Sequence, residues 1–453
     1  MVEEGAALVA SWAAMTGAEL SRFAVAVRPV SGGSSIFDWN ARVALNPASA
    51  MKVVTTYAAL ALLGPHYRWL TTLHLDGALR GGVLYGNLVL RGGGDPKFVI
   101  EDLRALIARM RAEGLAEIRG DLVIDDEMFD LKGAVLDSLD GEPWQPYNVA
   151  PHAALMNFKA TRIVVRNDGG QALISLDPPL ADVRLRNELK VIAGPCGQAS
   201  SALWVRDREA GQGPPEIRVG GRYAPGCGES SVYAAVLDHR TFIHGFFKAA
   251  WRAAGGRFDG STRIETGAAV MPVWLRWESP RGLVEVIHDI NKFSNNVMTR
   301  QLLLTIAAHG QSGVGTPELA RRRVEQWLAR QGLNLPELVI DNGSGLSRSE
   351  RISAAGLSDL LVHADRSAHG AILRESLPRV AHDGTMRGRL GRHPIAGRAW
   401  IKTGSLRDVR SITGYVDAAS GRRLAVTMIA NGEKLLGAQP AQDAFLRWVY
   451  ERG

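Results

Sequence analysis

Strand-forming segments stand at both ends of this 453-residue chain with helical segments between them, and this arrangement constrains the fold more than any other feature. Residues 23–28 and 35–39 alternate apolar and polar side chains around a Ser31-Gly32-Gly33 turn, the pattern of a β-hairpin. The C-terminal end carries three more strand patterns, near Trp400–Thr403, Ser411–Val416 and Leu424–Ala430. Hairpin-linked strands pair antiparallel. The two ends therefore predict one α/β domain with an antiparallel sheet, built from both termini and interrupted by an insertion.

Between the ends, Asn46 reads as an N-cap and Pro47 as a first helical residue, before an apolar run from Val53 to Leu63 and a Gly64-Pro65 stop. Residues 66 to about 160 mix short strands such as Leu84–Leu90 with a helix over Glu101–Arg111, an α+β pattern. From Arg162 to Arg222 the pattern is strand-like, with Gly and Pro turns, and predicts a small all-β module. Helical spacing returns at Thr241–Ala254, Leu283–Ala308, Pro317–Arg330 and Ser353–Ala364. The fold class is α/β (α+β) and multidomain.

The formal charge of +7 rests on 53 Lys and Arg, of which nine are lysine, and no polybasic run marks a nucleic-acid site. A diffuse positive field suits an anionic glycan or membrane surface, with general solubility the plainer reading. Cys196 and Cys227 either close a local loop, adding about 3 to 4 kcal/mol in an oxidising compartment, or remain idle thiols in the cytosol. The acidic start Met1-Val-Glu-Glu shows no secretory signal, so the chain is expected to be either cytoplasmic or a mature form without its export signal. No segment reaches the roughly 20 apolar residues of a membrane span. The 11 histidines include no His-Glu-x-x-His, and no metal or other cofactor is expected. The Gly92–Gly94 and Gly343-Ser-Gly345 clusters match no nucleotide-binding loop and read as tight turns, the second shaping a site rim.

Three motifs carry chemistry: Ser49-Ala-Met-Lys52, Ser294-Asn295-Asn296 and Lys402-Thr403-Gly404. Among the nine lysines only Lys52 has a serine three positions earlier. A serine hydroxyl needs a neighbouring base, and residues three apart share one helix face, which sets the Lys52 amine beside Ser49 in the first helical turn. Burial near Lys402 would lower the Lys52 pKa enough for it to act as that base. At Asn291–Asn296 the regular helix can break into a loop, where Ser294 could relay a proton to a leaving amine, Asn295 would contact substrate, and Asn296 both donates to and accepts from a peptide; helix capping is the alternative for the serine and asparagine of this motif. The cation and hydroxyl of Lys402 and Thr403 suit a terminal carboxylate. Gly404 would admit a ligand backbone along the strand edge, and the N–H groups of Ser405 and Ser49 would make an oxyanion hole. In this order the three motifs are the signature of penicillin-binding proteins and serine β-lactamases.

Together with Leu63-Gly-Pro65, Gly92-Gly-Gly-Asp-Pro96, Asn291-Lys-Phe293, Asn342-Gly-Ser-Gly-Leu-Ser-Arg348 and Asp383-Gly-Thr385, the chain resembles the class C penicillin-binding proteins of the penicillin-binding protein 4 type. These are D-alanyl-D-alanine carboxypeptidases and endopeptidases. The resemblance implies a transpeptidase-like domain over 1–65 and 265–453, an inserted accessory domain over 66–161 and 236–264, and a nested all-β domain over 162–235. The 245 positions between Ser49 and Ser294 leave room for both. It also implies a periplasmic enzyme acting on peptidoglycan stem peptides, acylated by β-lactam antibiotics, with Asp383 and Arg389 at the cleft; for these two a surface-loop role is the alternative. The rival enzyme on this scaffold is a β-lactamase or esterase, and the rival of another class is a wall-binding protein without turnover.

Overall fold

The computed structural model describes residues 2–132, 139, 141–193, 196, 203–207, 213–309, 313–433, 435 and 438–453. The chain divides into two compact units, residues 1–67 with 281–453, and residues 68–280.

In the terminal unit a five-stranded sheet is made from both chain ends: β1 (Phe23–Pro29), β2 (Phe37–Trp39), β3 (Ala399–Leu406), β4 (Val409–Asp417) and β5 (Arg423–Asn431). The order is β3-β4-β5-β1-β2, every pair antiparallel, with β5 joining the C-terminal strands to β1. One side of the sheet packs on α1 (Val2–Thr16) and on the C-terminal helix Ala438–Arg452, where Trp12, Phe445, Leu446 and Val449 are buried with Val25, Ile412 and Val426. The helix α2 (Lys52–Leu63) is buried along its first nine residues, the mark of a helix enclosed on all sides. Around it stand α3 (Leu283–Phe293), α4 (Asn296–Ala308), α5 (Pro317–Arg330) and α6 (Ala354–Arg366).

One sequence expectation changes here. The helix expected from Asn46 begins instead at Lys52, preceded by a 3-10 turn over Ala48–Met51. Ala48 adopts φ +45°, which no α-helix accommodates, and the Asn46 side chain accepts from the Ala48 N–H at 2.9 Å, so Asn46 caps the turn. The helical stretch over Leu283–Ala308 does break within Asn291–Asn296: Ser294 at φ +57° ends α3 and the Asn295 side chain caps α4 through the Met298 N–H.

Within the inserted unit, Leu70–Arg80 and Val83–Arg91 form a hairpin, and Leu275–Glu278 pairs with the first of these strands. Residues 265–280 therefore belong to this unit, past the boundary expected at 265. The helices Ile100–Ala112 and His239–Ala253 supply its core with Leu103, Leu106, Phe242, Phe246 and Trp251. Between residues 161 and 234 lie two three-stranded sheets, one of Thr161–Asp168, Gln171–Asp177 and Ser230–Ala234, the other of Arg184–Val191, Trp204–Asp207 and Glu216–Tyr223, which fall in sequence between the strands of the first. Cys196 and Cys227, 31 positions apart, are bridged with their Cα atoms 4.8 Å apart. A loop of that length predicts that Cys227→Ser lowers the unfolding free energy of the oxidised protein by about 3 to 4 kcal/mol. Denaturant unfolding with and without reductant checks this: reductant should remove the difference between the two proteins.

Candidate active site

Ser49 lies in the 3-10 turn and Lys52 opens α2 directly after it. Residues three apart eclipse in a 3-10 helix, so the departure from an α-helical start brings the two side chains into register. The Lys52 Nζ donates to Ser49 Oγ at 2.9 Å, to Asn296 Oδ1 at 2.6 Å and to the Ser344 carbonyl. Lys402 Nζ donates to Ser294 Oγ and to the Thr403 carbonyl, both at 2.9 Å. The third link is a close approach: a Cβ on Gly404 would lie 2.6 Å from the Pro47 carbonyl and 3.0 Å from the Ser49 nitrogen, so β3 runs against the serine turn. Segments hundreds of positions apart in sequence thus meet around one hydroxyl.

Both amines are fully buried. Burial, reinforced by the Lys402 charge and by Arg300, holds Lys52 well below the ordinary lysine range, against the opposing pull of Glu350. Burial alone brings Lys402 down to about 7. A lysine amine lowered in this way beside Ser49 is suited to accept its proton.

The turn is held from three directions. Asn431 at the end of β5 bonds the backbone of Asn46 twice, at 2.9 Å each way. Ser411 on β4 donates to the Pro47 carbonyl at 2.5 Å. The segment Asn342–Ser347 closes the third side: at Gly345, with φ +81°, a Cβ would sit 1.9 Å from the Ala48 carbonyl, so only glycine fits. Glu350 fixes that segment, accepting from the N–H groups of Asp341, Asn342 and Gly343 at 3.3, 3.1 and 2.6 Å. Burial and the neighbouring Asp341 push the Glu350 carboxyl up to about 7. The Gly343-Ser-Gly345 turn was legible as a rim; the Ser344 carbonyl and Glu350 carried no signal in the sequence, since neither residue type at that spacing implies a lysine partner.

The remaining expected residues fall into two groups. Thr403, Gly404, Ser405 and Arg389 line an open cavity of about 400 Å³. Val380 N–H bonds the Ala399 carbonyl and Ile401 N–H bonds the Pro378 carbonyl, so the backbone N–H and C=O groups of the odd-numbered residues of β3 point away from β4. By this alternation the N–H groups of Thr403 and Ser405 face the open edge, where a substrate strand could pair. Asn295 and Asp383 instead hold neighbours in place. Asn295 takes the capping role already noted, and Asp383 accepts from Lys292 Nζ at 2.8 and 2.9 Å and from the Arg379 N–H at 2.7 Å. Asp383 thereby anchors the end of α3 one residue pair before Ser294. Lys402 is no open cation for a carboxylate, since it is buried and its bonds go to Ser294 and its own strand.

In the inserted unit Asp126, His152 and His239 bring ligand-type atoms within 4.8 Å of one another. The two rings stack 3.6 Å apart with planes only 4° from parallel, so an ion bonded to both would lie far out of each ring plane. The group reads better as a hydrogen-bonded pair, with His152 Nδ1 and Asp126 Oδ2 2.8 Å apart.

A family model described as the D-Ala-D-Ala carboxypeptidase 3 (S13) family matches residues 6–451. The chain is 28% identical over 446 residues to a D-alanyl-D-alanine carboxypeptidase of Actinomadura sp. (strain R39), covering 93% of this chain and 79% of that protein. Its fold is that of penicillin binding protein 4 (dacB) from Haemophilus influenzae, with a TM-score of 0.84, 23% identity, and 98% and 99% of the two chains covered. The same Haemophilus protein complexed with a novel β-lactam matches at a TM-score of 0.78 and 22% identity, with the same coverage.

Proposed function

The chain belongs to the D-Ala-D-Ala carboxypeptidase 3 (S13) family of serine peptidases, and on that premise we propose that it hydrolyses D-alanyl-D-alanine termini of peptidoglycan stem peptides through an acyl-enzyme on Ser49. The observation that carries this reading is the 2.9 Å bond between a fully buried Lys52 amine and the Ser49 hydroxyl. Ser49 Oγ attacks the carbonyl between the two D-alanines while Lys52 takes its proton. The N–H groups of Ser49 and Ser405 hold the oxyanion. Ser294 gives its proton to the departing amine and regains one from the bonded Lys402. Water then attacks the ester, its proton passing through Ser294 back to Lys402, while Ser49 leaves reprotonated by Lys52. Asn296 orients the Lys52 amine and meets the substrate backbone; Thr403 and Gly404 line the strand edge that receives it.

D-alanyl-diaminopimelate cross-links present the same acyl group and are the companion substrate, giving endopeptidase activity. A β-lactam would acylate Ser49 and leave slowly, a reading supported by the β-lactam complex of the Haemophilus relative. The bridged cysteines and the cell-wall chemistry favour the periplasm, with peripheral attachment to wall or membrane compatible with a chain in which no described helix is long and apolar enough to cross a bilayer. Residues 162–235 would form a nested module within the accessory domain.

The test is mass spectrometry after incubation with a fluorescent penicillin. A stable adduct on the Ser49 peptide, absent from Ser49→Ala, with D-alanine released from a pentapeptide, is expected. Rapid loss of the adduct would indicate the β-lactamase alternative, and an adduct without D-alanine release the binding protein.

A further inference from the structure

The general base has a buried acidic neighbour that the proposed mechanism does not use. Glu350 has no exposed surface, and its Oε1 accepts from three successive N–H groups, those of Asp341, Asn342 and Gly343. Its Oε2 is buried and, among the described residues, makes no hydrogen bond. Fixing the turn needs one acceptor oxygen, which a neutral side chain could supply without the cost of burying a charge. The second oxygen and the charge are surplus to that role.

Two connections run from this carboxyl to Lys52. One is through the backbone. Glu350 holds the Gly343 N–H, the Gly343 carbonyl accepts from Thr55 Oγ1 at 2.8 Å, and the next carbonyl, that of Ser344, receives the Lys52 amine. Lys52 and Thr55 stand three positions apart on α2, so Glu350 pins the peptide that spans both. The other connection is electrostatic. Lys52 on α2, Arg300 on α4 and Asp341 of the adjoining segment interact with Glu350, while Lys402 on β3 and Arg300 also act on Lys52. Lys402 and Arg300 disfavour a proton on the Lys52 amine; of the three groups Glu350 alone favours it.

We propose, resting on the peptidase reading above, that Glu350 is a positioning residue for the general base: it seats the carbonyl that receives the Lys52 amine, and its charge governs how strongly that amine holds the Ser49 proton. A charged Glu350 makes Lys52 the stronger proton acceptor and keeps it protonated to higher pH. A neutral side chain in its place leaves a weaker base that is already free at lower pH.

The full chain is acylated by a chromogenic β-lactam in stopped flow across the acid limb of the rate, as wild type and as three variants whose folding is checked by circular dichroism. Glu350→Gln keeps the acceptor and loses the charge: its limb is expected about one unit lower in pH, with a plateau within about 3-fold of wild type. Glu350→Asp keeps the charge on a shorter stem, so its limb should stay in place while the plateau falls. Glu350→Ala loses both, and misplacing the Ser344 carbonyl should cost about 10²-fold in the plateau. A Glu350→Gln limb at or above the wild-type position, or a plateau as low as that of Glu350→Ala, overturns the assignment. If Glu350→Gln does not fold, Glu350→Asp decides, since a limb displaced from wild type then overturns it. Failure of wild type to be acylated on Ser49 would instead sink the peptidase reading, and the adduct assay reports that without any variant.

Discussion

Exchanging Lys52 for methionine is expected to slow acylation of Ser49 by a β-lactam or a D-alanyl-D-alanine peptide by about 10⁴-fold, the upper end of what a positioned general base contributes. Methionine matches the stem of lysine and keeps the apolar contacts of a residue with no exposed surface. What disappears is the amine that bonds Ser49, Asn296 and the Ser344 carbonyl. Stopped-flow acylation gives the rate, and circular dichroism verifies that the variant is folded. A folded variant acylated within tenfold of wild type would remove Lys52 from the mechanism. The pH dependence carries the same logic. Because Lys52 is held below its ordinary range, its base form is populated well below pH 10.5, so the acid limb of wild-type acylation should lie well under that of a free amine. Stability moves the same way with pH. A lysine whose folded pKa is depressed binds fewer protons folded than unfolded, so its contribution grows as pH rises. For Lys402 the window runs from about 7 to 10.5. Thermal melts across that window should show stability increasing, less steeply in a Lys402→Met variant.

How much of this was readable from sequence depends on which level of structure fixes each residue. Thr316 and Pro317 are a cap and a first helical residue by local chemistry, and α5 starts where they say. That the three motifs would meet was readable because Ser-x-x-Lys, Ser-x-Asn and Lys-Thr-Gly each occur once and imply partners. The serine turn was not. Its 3-10 form depends on Asn431, Ser411 and Gly345 pressing on Asn46–Ala48, contacts that cross most of the chain and override the local signal of Asn46 and Pro47. Lys402 shows the same limit. Its motif placed it near Lys52 as a cation for a carboxylate, but that its amine is buried and bonded to Ser294, 108 positions away, has no local signal. Glu350 is the extreme case, since a buried carboxylate serving three backbone N–H groups leaves no periodic trace.

Gly404→Ala is expected to reduce acylation by about 10²- to 10³-fold, the cost of losing one oxyanion donor, with the lysine–serine pairs left intact. The added methyl group would meet Ser411 Oγ at 2.2 Å, the Pro47 carbonyl at 2.6 Å and the Ser49 nitrogen at 3.0 Å. Ser411 cannot turn aside freely, because its hydroxyl holds the Pro47 carbonyl. Two of the three obstacles are backbone, so relief requires β3 to move away from the serine turn. That movement separates the Ser405 N–H on the strand from the Ser49 N–H on the turn, the two groups that must converge on a single oxygen. Ser411→Ala on its own keeps the glycine and loses only the hydroxyl, so it should retain most of the acylation rate; added to Gly404→Ala, it should restore little, because the Pro47 carbonyl remains in the way. Full rescue by that second change would mean that the side-chain clash, rather than the spacing of strand and turn, governs the rate. A crystal structure of the single variant with β3 still seated against Ser49 and a slow acylation rate would also refute the spacing argument, since the geometry it depends on would be unchanged.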